Sequence, residues 1–332
     1  MRMSFTRSLQ AAVAVCGIAI AGLAPADAAD KLRVGWTTSD GPTDPYAITA
    51  RTLAAELDKR LPGKFDVAMF PNNQLGDEKQ MLEGLGFGTL DVGIITNAPI
   101  GNIAPAFQLN DMPFLYASEE QAHQVLDGEI GQQILATLDG KGIVGLGFAE
   151  GGFRHMINNK RPVLEPEDVS GVKYRVMQNP VFIGMFEALG GNATPMAWGE
   201  TYTATQQGTI DGLEIPLAVI AANKYAEVTK YLSLTRHTYS ALGVLVSKRF
   251  FDKLSAEEQE AFRAAAAAAI ASQRAETARN TAELLDVLKA AGMEINEVKD
   301  AAAFRSRVGN VYEQFKPVIG AELFDKALAA VE

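Results

Sequence analysis

Arg175 is the side chain whose surroundings point most directly to chemistry. Residues 173–177, KYRVM, alternate, with Tyr174 and Val176 on one face and Lys173, Arg175 and Met177 on the other, which predicts a strand. Asn179-Pro180 follows as an N-cap and a first helical proline. The helix it opens, VFIGMFEAL, stops at Gly190-Gly191. A guanidinium is thus delivered one turn ahead of a helix N-terminus, a place that favours anions. Its planar fork binds a carboxylate through two parallel hydrogen bonds, which a lysine cannot reproduce. The plain alternative is a solvated or salt-bridged strand arginine.

Other chemistry finds little support. There is no G-x-S-x-G and no H-E-x-x-H, and the single cysteine, Cys16, lies in the leader described below. His123, His155 and His237 lack metal-ligand spacing and read as structural or surface residues. Gly145-Leu146-Gly147-Phe148-Ala149-Glu150 resembles a dinucleotide fingerprint but has Glu150 where Gly or Ala is needed, so it reads as a tight strand end. No metal or cofactor is implied.

The elements around Arg175 read as an α/β chain. Residues 1–28 are set aside first. Arg2 and Arg7 form a basic start, residues 9–23 an apolar run, and Ala26-Asp27-Ala28 an A-x-A cleavage site. A membrane anchor is the alternative, but the run is short for one. Removing the leader takes Cys16 with it, so an exported chain without disulfides is expected. It leaves 28 basic against 39 acidic residues, a formal net charge of −11. That balance argues against nucleic acid and anionic membrane surfaces, but not against an anionic small ligand held by a buried arginine.

The remaining chain, about 300 residues, is long enough for one large or two moderate domains. Residues 32–37, 65–70 and 90–96 read as strands, separated by helices over 45–60 and 78–85. Thr37, Thr96 and Asn97 fall at strand carboxyl ends, where ligands bind in open α/β sheets, and Gln80 lies near a helix start at the same edge. A helical region spans 118–138 and a buried strand 141–148. Beyond Arg175, a second helix covers 199–207 and a strand 210–215, while 239–247 is apolar enough for a strand buried on both faces. Ser255 and Glu258 form a capping box, and helix formers then run to Ala291 with Gly292 as the stop. Unbroken, that helix is about 55 Å long, a strut shared by two lobes; two helices broken near Asn280 is the alternative. Residues 301–331 read as two further helices. No flexible linker divides the lobes, so the chain is expected to cross between them more than once.

The run KYRVMQNPVFIGMFEALGGNATPMAWGETYTATQQGTIDG is similar to the signature of TRAP-transporter solute-binding proteins, the DctP-like family. PNNQLGDEKQMLEGLGFGTLDVG and GFRHMINNKRPV extend the likeness across nearly all of the exported chain. The resemblance implies a two-lobed periplasmic binding protein fold with crossing strands and a long lobe-spanning helix. Lobe I is expected over 29–151 plus 241–280, and lobe II over 152–240 plus 281–332. It implies that Arg175 clamps a ligand carboxylate, that Arg154 is a second, more variable ligand-facing arginine, and that Trp198 packs on the ligand. Asn179 and Gln178 follow the clamp; Asn179 is either a contact or wholly occupied as a helix cap. Many relatives read DGQENP with a ligand-binding Asn, but here the run is DGLEIP with Ile215 in that place. Ile215 can neither donate nor accept, so sialic-acid and simple C4-dicarboxylate assignments do not carry over. Glu214 is expected to orient Arg175 from behind.

The expected function is therefore a periplasmic receptor that closes around a small organic anion and presents it to TRAP membrane permease subunits, as a monomer and without catalysis. A secreted hydrolase or lyase, or a receptor feeding a sensor kinase, are the competing readings.

Overall fold

The structure, a computed structural model, describes residues 29–331; the leader assignment, with Cys16, lies outside the described residues. Among the described residues nine strands form one mixed sheet. β1 (Asp30–Gly35), β2 (Phe65–Phe70) and β3 (Val92–Thr96) are parallel and alternate with helices Pro45–Arg60 and Glu78–Phe87. β4 (Ile143–Asn158) is followed by β5 (Lys173–Val176), β6 (Asn192–Pro195) and β7 (Gly212–Pro216), the last three again parallel. β8 (Tyr231–Ser247) and β9 (Glu294–Glu297) complete the sheet.

β4 and β8 tie the halves together. They run antiparallel for 16 and 17 residues, about 50 Å of extended chain. One end of the pair continues into β3, β1 and β2; the other is flanked by β9 on one side and by β7, β5 and β6 on the other. Register shifts fall at Gly145/Gly147, Glu150/Gly152 and Arg154/Met156, so both strands bend where they pass from one half to the other. Gly152 takes φ +92° there, a conformation that disfavours any side chain. Sequence periodicity placed a strand only over 141–148 and 239–247, because glycines and polar residues break the apolar pattern where the strands cross.

The two apolar cores lie on the two faces of this sheet. One holds Phe107, Phe148, Tyr174, Phe182, Phe186 and Phe304. The other holds Trp36, Leu53, Leu213, Phe251, Phe262 and Leu284. Both contain residues from each half, so the cores themselves bridge the halves.

The helix Ala256–Ala290 is unbroken over 35 residues, about 52 Å, with the expected Ser255–Glu258 capping box. No break occurs near Asn280. Ala265, Ala266 and Ala269 are buried small residues that let this helix sit close to its neighbours. At the crossing point the buried Gln273 side chain accepts from the Glu150 N–H (2.9 Å) and donates to the Glu150 carbonyl (2.7 Å). The strut is thereby fixed to β4 beside a register shift, satisfying main-chain groups the ladder leaves open. The end of the chain differs from expectation: residues 301–331 form three helices, Ala301–Arg307, Gly309–Ile319 and Ala321–Val331. The first two meet at Val308, and Gly320, at φ +105°, separates the second from the third.

Candidate functional site

The carboxyl ends of β1, β2 and β3 face those of β5, β6 and β7 across a cleft. Each opposed loop brings a short polar or aromatic segment. From the first half come Thr37 and Thr38 after β1, Thr96 at the end of β3, and Tyr46 and Glu78 from the first turns of two helices. From the second half come Arg175 of β5, Met177, Trp198, and Ile215-Pro216 at the end of β7, with Val219 behind. Arg154 joins them from β4, where it pairs in register with Pro216. Together these line an inner chamber with about 20 Å³ of free volume. Arg175, Glu78, Met177 and Trp198 also line a larger groove of about 790 Å³ on one flank.

Arg175 is 2% exposed. Its Nε donates to the Met196 carbonyl (2.9 Å) and its Nη1 to the thioether of Met177 (3.4 Å). Among the described residues no carboxylate comes within ion-pair distance of it. Burial pulls its pKa below the ordinary arginine range, and the nearby charge of Arg154 adds to this while Glu214 opposes it. An arginine keeps its charge even so. The result is a buried cation whose fork is satisfied by one carbonyl and one weak sulfur acceptor.

Arg154 is equally buried but committed. It donates from Nε and Nη2 to the two carboxylate oxygens of Glu214 (2.5 and 2.8 Å), from Nη2 to the Glu214 carbonyl (2.5 Å) and from Nη1 to Ser240 Oγ (3.3 Å). His237 Nε2 lies 3.2 Å from the same carboxylate. Burial works against both charges of this pair; nevertheless the Glu214 carboxyl is held below its usual range and Arg154 above its own. Glu214 therefore orients Arg154, not Arg175. β7 lies between β4 and β5, and the Glu214 side chain reaches the β4 arginine.

The remaining expected residues separate into two groups. Thr37, Thr96, Trp198 and Ile215 reach the chamber. Asn97, Asn179, Gln80 and Gln178 do not line it. Asn97 donates to the Phe107 carbonyl (2.8 Å) and accepts from Asn110 (3.0 Å) in the protein interior. Asn179 accepts from the Val181 N–H (2.8 Å) as the helix cap and donates to the Ala98 carbonyl (2.7 Å), so its amide is spent joining the two halves. Gln80 is exposed, closing a capping box with Asp77. Gln178 is exposed on the flanking groove, its carbonyl accepting from Asn102.

Thr38, Tyr46, Glu78, Met177, Pro216 and Val219 are the chamber residues that motif reading passed over. The signal for Glu78 was present: an acidic residue directly after the Asp77 cap lies two positions before Gln80 and points back to the strand ends. Glu78 Oε1 accepts from the Thr96 N–H (2.7 Å), and the Tyr46 and Thr96 hydroxyls bond each other. Burial pushes the Glu78 carboxyl up.

A pH effect follows from Asp111, a buried carboxyl behind the cleft that accepts from Asn179 (3.3 Å) and whose pKa burial raises to about 8. Between the unfolded value of about 4 and about 8 the folded chain binds the extra proton, so this group makes stability fall as pH rises through that window. Asp111→Asn is expected to flatten that decline and to raise stability at pH 8 by about 2 kcal/mol or more. Urea unfolding of both proteins at pH 5.5 and pH 8 checks it; a wild type no more affected than the variant by the pH rise contradicts it.

The sequence model of the family described as "Bacterial extracellular solute-binding protein, family 7" (DctP) matches residues 37–317. The chain belongs to this DctP family. It is 36% identical to the 2,3-diketo-L-gulonate-binding periplasmic protein YiaO of Escherichia coli, over 92% of each chain. A crystal structure of a TRAP periplasmic solute-binding protein from Polaromonas, bound to D-erythronate, matches with a TM-score of 0.87 and 38% identity, over 90% of this chain and 98% of that one. The sugar acid binding protein DctPAm from Advenella mimigardefordensis, in complex with galactonate, matches with a TM-score of 0.88 and 34% identity, over 91% and 98%. The two-lobed DctP architecture with crossing strands is thus the fold of this chain, and the family consists of solute-binding receptors. No helix among the described residues is long and apolar enough to cross a membrane.

Proposed function

We propose that this DctP-family protein is a periplasmic receptor that holds a small hydroxy acid or sugar acid by its carboxylate on Arg175 and hands it to TRAP membrane permease subunits. The observation that carries the reading is the buried Arg175 fork with no carboxylate partner among the described residues. Burying a charge is costly unless it is paired. A ligand carboxylate supplies the missing charge, whereas Arg154 already has Glu214. The names of the relatives fit this: diketogulonate, erythronate and galactonate are all carboxylates carrying oxygen functions along a short chain.

With about 20 Å³ free, the chamber as it stands has room for about one water, so the walls part to admit the acid and then have different work. Thr37, Thr96, Tyr46 and Glu78 offer hydroxyl and carboxyl groups that exchange hydrogen bonds with ligand hydroxyls. Ile215, Pro216 and Val219 offer only apolar contact, which suits an acid with one apolar edge. Lobe I comprises 29–151 plus 241–280 and lobe II 152–240 plus 281–332, meeting at the register shifts of β4. A ligand touching both walls favours the closed state because only there are both sets of contacts made.

A thermal-shift screen of hydroxy acids, sugar acids and their neutral sugar counterparts tests the reading. Stabilisation by a hydroxylated acid with none by its neutral counterpart is expected; stabilisation by neither class of acid rejects it. Ile215→Asn is expected to improve binding of more highly hydroxylated acids several-fold at the expense of the native one. An unchanged order of preference across the screen removes Ile215 from the ligand's surroundings.

A further inference from the structure

The inner chamber does not account for the groove beside it. That groove, about 790 Å³, falls in the size range of sites that enclose drug-sized ligands, well beyond what a short hydroxy acid occupies. It starts at Arg175 and Glu78, which it shares with the chamber, and runs along one side of the helix Glu78–Phe87. Leu82 and Gly86 follow Glu78 at four-residue spacing on one helix face, and the groove includes Phe87 at the helix end. Nine residues of helical rise put that far end about 13 Å from Glu78. Pro99, Ile103 and Ile143 contribute further apolar surface. Gly86 lets the Lys141 main chain approach the helix closely: a Cβ there would lie 3.1 Å from the Lys141 carbonyl. Phe87 is 70% exposed, the most exposed large apolar side chain among the described residues.

Charge decides what fits. Asp77, Glu78 and Glu83 are matched by Lys79, Lys141 and Arg175, so the groove as a whole attracts neither sign. With Arg175 taken by a carboxylate, the apolar part of the lining, Leu82, Phe87, Pro99, Ile103 and Ile143, leads outward from the carboxylate site between these charged side chains.

We propose that this groove takes an uncharged, apolar tail on the acid, so that the receptor accepts 2-hydroxy acids with an extended alkyl or aryl substituent, with the carboxylate on Arg175 and the tail along Leu82, Gly86 and Phe87. This rests on the carboxylate reading above. The occupant is fixed by continuity: a chain leaving the chamber on this flank enters the groove directly, past Met177 and Trp198, which border both spaces.

The test is calorimetry of 2-hydroxybutanoate, 2-hydroxyoctanoate and 2-hydroxydodecanoate, the last long enough to span the groove, with wild type and with Phe87→Ala. Phe87 is exposed, so its loss leaves the fold in place. In wild type each added methylene is expected to raise affinity about two- to fourfold. Phe87→Ala is expected to weaken 2-hydroxydodecanoate about fivefold or more and to leave 2-hydroxybutanoate within twofold. If the longer acids bind no better than the short one, or if Phe87→Ala weakens all three alike, the groove assignment is overturned while the carboxylate reading stands. If no carboxylate of any length or hydroxylation binds, both are overturned together.

Discussion

Arg175→Ala is expected to bind the receptor's acid about 30-fold to several thousandfold more weakly than wild type. Removing one partner of a desolvated charge pair typically costs about 2–5 kcal/mol, much of it from the stranded partner, and 1.4 kcal/mol is a factor of ten. Arg175→Lys keeps the charge but loses the fork, so it should fall between the two and still bind much more weakly than wild type. The unliganded variants should remain folded, since Arg175 makes no ion pair among the described residues and its burial disfavours its own charge. Calorimetry with the identified acid and a urea titration without it separate binding from folding. An Arg175→Lys protein binding within threefold of wild type would put the carboxylate elsewhere, with Arg154 the next place to look.

Arg154→Met should show the opposite pattern, a loss of stability before any loss of recognition. It leaves the Glu214 carboxylate fully buried with only His237 beside it. Breaking a buried pair by removing one partner costs about 3–5 kcal/mol. The pH dependence identifies the cause. In wild type the folded Glu214 pKa is depressed, so the pair's contribution is present above the unfolded value and is lost as pH falls through the folded one. In Arg154→Met burial, opposed chiefly by the remaining His237 contact, raises the Glu214 pKa, so the folded variant takes up a proton that the unfolded chain does not. Its deficit relative to wild type should then be largest near pH 8 and shrink toward pH 5. Urea unfolding at the two pH values reads this directly. A deficit independent of pH would mean that lost packing on Phe182, which the Arg154 guanidinium faces at 5.3 Å, dominates instead.

What could be read in the sequence was what local chemistry dictates. The Arg175 strand, the Asn179-Pro180 cap and the Ser255–Glu258 box each depend on neighbours within four residues, and each is where its pattern put it. β9 is a four-residue strand with too little alternation to reveal it, and β6, equally short, reads in the sequence only as a strand-like loop between two helices. The second half of β4 was hidden by Gly151-Gly152 and a run of polar residues, because a bulged crossing strand accommodates glycines that a flat one does not. In the site, the illegible part was partner choice. Glu214 sits on a strand flanked by two arginine-bearing strands, and only the sheet order decides which arginine it holds. Asn97 and Thr96 are adjacent at one strand end, yet one turns inward to Phe107 and the other reaches the chamber. That division depends on residues ten or more positions away.

Recognition of a carboxylate by the buried Arg175 fork is the property on which the proposed function depends. The most direct measurement is paired calorimetry of wild type with a stabilising acid from the screen and with the primary amide of that same acid, which keeps every hydroxyl and nearly the same shape but carries no charge. The predicted result is saturable one-to-one binding of the acid, with the amide weaker by about 30-fold or more. An amide that binds as well as its acid would contradict the account, because the buried Arg175 fork would then not be what holds the ligand.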